Sequence, residues 1–147
     1  MEISLYSDYS YRVLMYLACN GSGLTQIRTM SEAYQISENH LIKVVQHLVK
    51  QGYVISVRGR SGGVRLAKDP SEINLGEVFR RTEPSLKLLN CFDTATTTCP
   101  ITKICHLQRH FNLALQAFLQ QLNQATLADI VAFPHEIRET LQMPVRN

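Results

Sequence analysis

An amphipathic helix followed directly by a glycine- and arginine-rich hairpin is the feature that most constrains how this chain of 147 residues can fold. Residues 37–52 read SENHLIKVVQHLVKQG, and their apolar side chains recur at helical spacing along one face. Ser37 is expected to cap the first turn, and Gly52 is expected to close the last one. The apolar face comprises Leu41, Val44, Val45, Leu48 and Val49, and the polar face comprises Asn39, His40, Lys43, Gln46, His47 and Lys50.

A shorter helix is expected just before this one. Thr29-Met-Ser-Glu32 fits the S/T-x-x-E capping box, which predicts a helix that begins near Thr29 and runs towards Ile36. A turn of about three or four residues then separates the two helices, and such a pair with a polar second helix is typical of a helix-turn-helix. A polar outer face alone is common on amphipathic helices, so the DNA-binding interpretation also depends on the segment that follows.

That segment, residues 53–68, reads YVISVRGRSGGVRLAK and predicts a β-hairpin that would form a wing. The glycines of its turn permit positive φ angles. Arg58, Arg60 and Arg65 lie at or beside the tip, where long cations can reach phosphates or a narrow minor groove. The arginines could instead only keep an edge hairpin in solution, but the position directly after a helix-turn-helix favours a wing. The predicted DNA-contacting residues are Ser37, Glu38, Asn39, His40, Lys43, His47, Arg58, Gly59, Arg60 and Ser61.

The charge distribution supports the same interpretation. Residues 37–68 contain six basic side chains and a single acidic one, Glu38, whereas the whole chain has a net charge of only +3. A locally basic surface suits a polyanion such as double-stranded DNA, although a solvated face without a function would look the same in a sequence.

The amino-terminal segment indicates neither a signal peptide nor a membrane span. Glu2 is acidic, Asp8 and Arg12 interrupt the first apolar run, and no stretch approaches the ~18 uncharged apolar residues that a span requires. We therefore expect a cytoplasmic protein of one compact domain, without a membrane partner, in which cysteine thiols stay reduced.

The remainder of the chain predicts further helices. Residues 8–19 and 75–83 have helical apolar spacing, a long helix starts near Ile104, and Thr126 is expected to cap a short terminal helix. The expected fold is mainly α with a small β-hairpin wing: a winged helix-turn-helix followed by a long dimerisation helix. The expected division is 1–83 for the DNA-binding domain, 84–105 for a cysteine loop, and 106–147 for the dimerisation and terminal helices.

The long helix carries an apolar stripe that has no obvious partner elsewhere in the sequence. Such a stripe can pack against a second subunit in a homodimer, or back on Val13 and Leu17 of the first helix, and one wide face can do both. Its members are Leu107, Phe111, Ala114, Leu115, Phe118 and Leu122.

Three of the four cysteines lie in the segment CFDTATTTCPITKIC, with seven residues between Cys91 and Cys99 and five between Cys99 and Cys105. Reduced thiols so close together indicate metal or redox chemistry. Structural zinc usually uses a tighter C-x-x-C pair, whereas an iron–sulfur cluster accepts wider spacing. Pro100, directly after Cys99, is also a residue type seen beside cluster cysteines.

The residues alone leave alternatives open. Candidate fourth ligands are His106, His110 and Asp8, whereas Cys19 lies in an apolar helix and is expected in the core. The thiols could belong to a small redox enzyme, but no C-x-x-C pair or positioned base is evident. A third alternative is a DNA-binding protein in which zinc, with His106 as the fourth ligand, is purely structural.

The sequence resembles the Rrf-type iron–sulfur transcription regulators over nearly its whole length. The resemblance is carried by SDYSYRVLMYLA near the amino terminus, ISENHLIKVVQHL, VRGRSGGVRL, INLGEVFRRTE and the three-cysteine loop. It implies a homodimer whose long carboxyl-side helices cross and which binds a palindromic operator. The family includes sensors of nitric oxide, regulators of cluster assembly and regulators that respond to iron.

Three features bear on the branch within that family. Regulators of cluster assembly have a histidine three residues after the last cysteine, where this chain has Gln108. Nitric-oxide sensors are described with an aspartate in the first helix region that ligates the cluster of the other subunit, and Asp8 stands at that position. The wide spacing between the first two cysteines is closer to the iron regulators.

The resemblance therefore implies a transcriptional repressor, not an enzyme, whose operator affinity is controlled by an iron–sulfur cluster that senses nitric oxide. The implied ligands are Cys91, Cys99 and Cys105, together with Asp8 of the partner subunit. A [4Fe–4S] cluster is expected in preference to a [2Fe–2S] cluster. The alternative within the family is a regulator that responds to iron or to cluster status.

Overall fold

The computed structural model of the protein describes residues 2–93 and 95–144. Met1, Thr94 and residues 145–147, which the predicted domains included, lie outside the described residues. Within the described residues the chain forms seven α-helices and one antiparallel pair of strands, which confirms the predicted, mainly helical fold with a hairpin. The elements are α1 (Leu5–Cys19), α2 (Ile27–Tyr34), α3 (Glu38–Lys50), β1 (Val54–Val57), β2 (Gly63–Leu66), α4 (Leu75–Thr82), α5 (His106–Asn123), α6 (Leu127–Ile130) and α7 (Pro134–Thr140).

Helix α1 is the central element of the fold and packs against α3, β2, α4, α6 and α7. It begins at Leu5, earlier than the predicted start, because the Ser4 hydroxyl accepts a hydrogen bond from the Ser7 backbone N–H at 3.2 Å. Val13 and Leu17 are almost fully buried. The predicted helix is thus confirmed, with its amino-terminal end extended by a side-chain cap.

Helix α2 begins at Ile27, so the predicted capping box at Thr29 is wrong. The cause is a contact with the hairpin, because the N–H and carbonyl of Thr25 exchange hydrogen bonds with Val64 at 2.9 and 2.8 Å. The helix starts as soon as the chain leaves this pairing, at a Gln26 whose side chain makes no capping bond. Three residues then separate α2 from α3, as expected for a helix-turn-helix.

Helix α3, called the recognition helix below, runs from Glu38 to Lys50 as its periodicity predicted. The predicted cap is wrong in detail, because the Ser37 side chain accepts no hydrogen bond from the first turn. Gly52 follows the helix with a φ of 76°, which is the predicted use of a glycine at that end. Val49, expected on the buried face, is 36% exposed. The buried residues of the helix are Leu41, Val44, Val45 and Leu48.

The wing consists of β1, β2 and the turn between them. Val54 lies opposite Leu66, and Val57 lies opposite Gly63. The hairpin is held against the helices at Thr25, and a Cβ atom added to Gly63 would lie 2.8 Å from the Thr25 carbonyl oxygen. Glycine is therefore required at this position by the close approach of two backbones.

The long helix α5 packs mainly against α4, where the Phe79 and Phe118 rings meet edge to face with centroids 5.3 Å apart. Helix α6 follows Thr126, whose N–H and hydroxyl donate to the Asp129 carboxylate at 2.7 and 2.8 Å. This confirms Thr126 as the predicted cap. None of the helices in the described residues has the length and apolar character needed to cross a membrane.

Helix α7 was not predicted from the sequence, because its seven residues are too few for a period to stand out. It begins at Pro134, whose fixed φ suits the first turn of a helix. The Arg138 guanidinium donates to the carbonyl oxygens of Cys19 and Pro144 at 2.9 and 3.0 Å. The carboxyl-side segment is therefore anchored on the end of α1.

Candidate functional site

The recognition helix presents its polar face to solvent. Ser37, Glu38, Asn39, His40 and Lys43 are all exposed, as predicted from the helical period. These side chains surround the amino-terminal end of the helix, which is the end that contacts base edges in helix-turn-helix proteins.

His47 has a different environment from these residues. Its Nε2 atom lies 2.9 Å from the Arg81 carbonyl oxygen, and its ring meets the Tyr6 ring edge to face with centroids 5.5 Å apart. The side chain is half-buried, although the periodicity had placed it on the polar face. It thus joins the recognition helix to α4 and α1.

The tip of the wing exposes Arg58, Gly59, Arg60 and Ser61. Gly59 has a φ of 115°, and its carbonyl oxygen accepts a hydrogen bond from the Gly62 N–H at 2.9 Å, which closes the turn. Within the described residues, neither tip arginine forms an ion pair. Their guanidinium groups are therefore available to phosphate oxygens.

An open groove separates the wing from the start of α2. Gln26 and Arg28 line one side of it, and Ser56 lines the other. None of the three residues is among the predicted contacts. Gln26 and Arg28 precede the basic segment 37–68, on which the prediction of the DNA-binding surface depends. Arg28 is held by Glu32, with 2.8 Å between Nε and Oε1.

The three clustered cysteines all lie on the irregular segment between α4 and α5, which we call the cysteine loop (residues 84–105). Cys91 lies in a short 3-10 turn, Cys99 is exposed, and Cys105 directly precedes α5. All three are free thiols, and Cys91 and Cys105 are half-buried. Where the structure describes the chain, no three His, Cys, Asp or Glu side chains are close enough together to hold a metal ion.

Hydrogen bonds of the cysteine loop hold its backbone and leave the thiols free. The Gln108 side-chain amide donates to the Cys91 carbonyl oxygen at 2.9 Å, which ties the start of the loop to α5. The Thr102 hydroxyl donates to the Cys99 carbonyl oxygen at 2.8 Å. Three unpaired thiols on one segment fit an iron–sulfur cluster in ligand type and number, because such clusters bind thiolates.

A neighbouring ion pair adds to the order of this loop. Lys87 Nζ lies 2.6 Å from Asp93 Oδ2, and this hydrogen bond holds the pKa of the Asp93 carboxyl below its usual range. The ion pair joins two positions of the loop on either side of Cys91.

Cys19, in contrast, is part of the core, as expected. Its side chain is 7% exposed, and burial raises the pKa of its thiol. A buried thiol with a raised pKa has little thiolate character at neutral pH, so Cys19 is a poor ligand.

Asp8 is a half-exposed residue on α1. Its carboxylate forms two contacts with Arg12 in the next turn, Oδ1 to Nε at 3.1 Å and Oδ2 to Nη2 at 2.8 Å. The Arg12 guanidinium also lies 5.9 Å from the centroid of the Tyr34 ring. To ligate a metal, the Asp8 carboxylate would have to break its ion pair with Arg12.

The apolar stripe on α5 is divided between two environments. In its carboxyl-terminal half, Phe118 packs on α4, whereas Leu107 and Phe111 near the other end are 57% and 39% exposed. The main partner of α5 within the chain is α4, so packing on Val13 and Leu17 of α1 is not what holds this helix. Phe111 also lines a cavity with Ile3 and Leu86, so within the described residues the amino-terminal half of α5 is only partly covered.

Comparisons with known proteins agree with this geometry. The family model described as iron-dependent transcriptional regulator (Rrf2) matches residues 3–133. The HTH-type transcriptional regulator NsrR of Bacillus subtilis is 44% identical over 144 residues, which cover 97% of this chain and 99% of that protein. The protein of the same name from Bacillus licheniformis is 45% identical over 142 residues, 96% of this chain and 99% of its own length.

A solved structure shows the same fold. The T. potens IscR structure superimposes with a TM-score of 0.72 at 24% identity, covering 100% of this chain and 94% of that one. The relatives are DNA-binding regulators and not enzymes, so the thiol-enzyme alternative is set aside and the chain acts in transcription regulation. With a family match over most of its length, a helix-turn-helix and a wing, the chain belongs to the Rrf2 family of transcriptional regulators.

Proposed function

We propose that this regulator represses transcription under the control of an iron–sulfur cluster that senses nitric oxide. The observation that carries the proposal is the set of three free thiols on one loop directly after the DNA-binding elements. The name NsrR on relatives at 44% and 45% identity, and the resemblance to the nitric-oxide-sensing branch, support nitric oxide as the signal. The proposed division is 1–83 for DNA binding, 84–105 for the cluster and 106–147 for dimerisation.

Cys91, Cys99 and Cys105 would hold the cluster, with [4Fe–4S] proposed in preference to [2Fe–2S]. When bound, the cluster supplies iron that reacts with nitric oxide. The chain's own contribution is the placement of the thiolates, since Gln108 and Thr102 fix the backbone at two of the three cysteines. Metal and sulfide analysis of anaerobically purified protein tests this proposal, because iron with sulfide supports it, whereas zinc or no metal contradicts it.

The fourth ligand proposed is Asp8 of the partner subunit. In the chain described here Asp8 is paired with Arg12, so ligation and the ion pair compete for the same carboxylate. An oxygen ligand is hard and iron–sulfur clusters favour soft ligands, so this bond would be the weakest of the four. A ligand from α1 would also connect the cysteine loop of one subunit to the DNA-binding elements of the other.

Asp8→Ala is expected to leave the cluster bound by the three thiolates but to change its response to nitric oxide. The reason is that an exchangeable ligand replaces the carboxylate at the fourth position. Stopped-flow absorbance on addition of nitric oxide, with DNA release recorded in parallel, measures the change. Kinetics and DNA release identical to those of the wild type would remove Asp8 from the ligand set.

The proposed DNA-contacting surface combines the exposed residues of the amino-terminal half of the recognition helix with the tip of the wing. His47 is assigned a positioning role within this surface, because its ring nitrogen is already bonded to the Arg81 carbonyl oxygen. The contacting residues are Ser37, Glu38, Asn39, His40, Lys43, Arg58, Gly59, Arg60 and Ser61, all of them exposed.

Arg60→Ala is expected to weaken binding to all DNA sequences alike and to reduce the salt slope, d log K/d log [salt], by about one unit. The reason is that an exposed arginine at the wing tip is placed to neutralise one phosphate. Fluorescence anisotropy at several salt concentrations gives the slope, with Arg28→Ala as the comparison at the groove. Lost sequence discrimination at an unchanged slope would make Arg60 a reader of bases or groove shape instead.

A homodimer is proposed because the amino-terminal half of α5 exposes a continuous apolar face. Leu107 and Phe111, one turn apart on this helix, are 57% and 39% exposed, and Ile104 in the 3-10 turn just before the helix is 75% exposed. Exposed apolar side chains at helical spacing mark an interaction surface, and closed symmetric dimers are the commonest assemblies of soluble proteins.

A second candidate is a regulator that responds to iron supply or cluster status. The description of the family as iron-dependent regulators and the seven-residue spacing between Cys91 and Cys99 favour it. The two candidates differ in their trigger. DNA release by nitric oxide at constant iron supports the first, and release by iron chelation alone supports the second.

A further inference from the structure

The last turn of α4 is bonded to the first turn of α1. Glu83, which follows α4, accepts three hydrogen bonds at one carboxylate oxygen, Oε2. The donors are the Ser4 N–H at 3.1 Å, the Ser4 hydroxyl at 3.0 Å and the Ser7 hydroxyl at 2.8 Å. Ser7 is completely buried. A carboxylate at a helix amino terminus is also stabilised by the helix dipole, so Glu83 caps α1 from outside.

The same turn is bonded to the recognition helix. Arg81 Nη1 donates to the Gln51 side-chain oxygen at 3.0 Å, and the Arg81 carbonyl oxygen lies 2.9 Å from His47 Nε2. The Arg81 guanidinium also lies 5.7 Å from the centroid of the Tyr53 ring, at the start of the wing. Arg81 therefore contacts His47 in the recognition helix, Gln51 directly after that helix and Tyr53 directly before the wing.

The cysteine loop begins at the very next residue. Glu83 has extended backbone angles, φ −79° and ψ 119°, which is the region that a following proline such as Pro84 enforces. The backbone of Glu83 is therefore restricted where the cysteine loop begins, which leaves few rotations at this residue to take up a displacement of the loop. Asp8 lies one helical turn from the cap, since its N–H donates to the Ser4 carbonyl oxygen at 3.0 Å.

We infer that Arg81, Thr82 and Glu83, which we call the α4 joint, are positioning residues through which the cysteine loop sets the placement of α1 and the recognition helix. The inference rests on the proposed function, because it names the contacts that carry the state of the loop to the DNA-binding surface. Glu83 holds α1, Arg81 holds the recognition helix, and the Thr82 hydroxyl oxygen lies 3.1 Å from that of Ser7 between them.

The test compares Glu83→Ala with Glu72→Ala in the full-length protein. Glu72 is a matched control, because its carboxylate also accepts a backbone N–H, from Asp69 at 3.1 Å, but it lies in the 3-10 turn before the other end of α4. Two quantities are measured for each protein. The first is amide hydrogen exchange at Ser4, Ser7 and Asp8 in cluster-free protein, and the second is the ratio of DNA affinities before and after nitric oxide.

In Glu83→Ala, exchange at the first turn of α1 is expected to accelerate roughly tenfold from loss of the cap, and the affinity ratio should fall towards one. Glu83→Gln, which retains a neutral acceptor, should restore part of both, and Glu72→Ala should match the wild type. Unchanged exchange in Glu83→Ala overturns the inference. So does faster exchange with a wild-type affinity ratio, because Glu83 would then only stabilise α1.

Failure of the proposed function gives a different result. A wild-type affinity ratio of one refutes control by nitric oxide, whatever Glu83 does. The role of the α4 joint is then tested by amide hydrogen exchange at residues 47–51 in Glu83→Ala. Faster exchange at these residues supports a mechanical connection from Glu83 through α4 to the recognition helix. Unchanged exchange there overturns the inference.

Discussion

Alanine at Cys91, Cys99 or Cys105 is expected to abolish the visible absorbance of the anaerobically purified protein. Each cysteine supplies one thiolate of the proposed set, and the structure offers no fourth thiol, since Cys19 is buried in the core. A cluster deprived of one of three soft ligands is exposed to solvent at that corner and is lost during purification. The absorbance spectrum and the iron content of each variant measure the effect.

Cys19→Ala is the matched control for this experiment. It removes a thiol without touching the cysteine loop, so absorbance and iron content should equal those of the wild type. Circular dichroism should show the same helix content in the three loop variants, because none of the loop cysteines belongs to the buried core, and in Cys19→Ala, which removes only one sulfur atom from α1. An intact cluster in Cys99→Ala would contradict the ligand assignment directly.

Phe111→Glu is expected to convert the protein to a monomer and to lower its operator affinity by about 10² to 10⁴-fold. The charge would be introduced into the amino-terminal half of α5, where Leu107 and Phe111 are 57% and 39% exposed. A monomer brings one recognition helix to a palindrome instead of two, and the lost factor is the effective concentration of the second site. Analytical ultracentrifugation and fluorescence anisotropy measure the two effects.

Gln120→Glu provides the control on the same helix. Gln120 is exposed and lies nine residues after Phe111, which is two and a half helical turns, so the same charge is introduced on the side of the helix opposite the stripe. This variant should remain dimeric and bind the operator normally. A dimeric Phe111→Glu protein with wild-type affinity would show that α5 does not form the interface.

The recognition helix and the wing could be predicted closely from the sequence, because both depend on local periods. The apolar residues of α3 and the alternation in β1 and β2 are local features, and the structure places both elements as predicted. The apolar period did not locate the starts of α1 and α2, because the start of α1 depends on a Ser4 side-chain cap that Glu83 reinforces, and the start of α2 depends on a distant contact. Glu83 caps α1 at Ser4, and Val64 holds the residue before α2.

The residue types of the candidate site could be predicted from the sequence, but the burial and hydrogen-bond partners of those residues could not. The spacing of the cysteines places three thiols on one loop, but within the described residues they do not converge on a metal site, and the hydrogen bond that holds the Cys91 backbone comes from Gln108 on α5. His47 and Val49 lie at the borders of the apolar face of α3, where the helical period alone cannot assign a side. Packing by α4 decides that His47 is half-buried, since its ring nitrogen is bonded to the Arg81 carbonyl oxygen.

A cluster that controls DNA binding must change the relative free energy of the binding and non-binding states by a large amount. Moving an equilibrium from almost wholly competent for DNA binding to almost wholly incompetent requires about 5.5 kcal/mol of differential stabilisation. An exposed ion pair such as Asp8 with Arg12 contributes well under that amount. The breaking of metal ligation can supply it, so the control is assigned to the cysteine loop and not to surface contacts.

The central claim is tested most directly by measuring the affinity of cluster-loaded protein for DNA before and after anaerobic addition of nitric oxide. The DNA is a fragment selected by the protein itself from random sequences, held at constant salt. We expect tight binding before addition and a loss of at least about 100-fold afterwards, in step with the loss of visible absorbance. Equal affinity for the loaded, nitrosylated and cluster-free proteins would contradict the account.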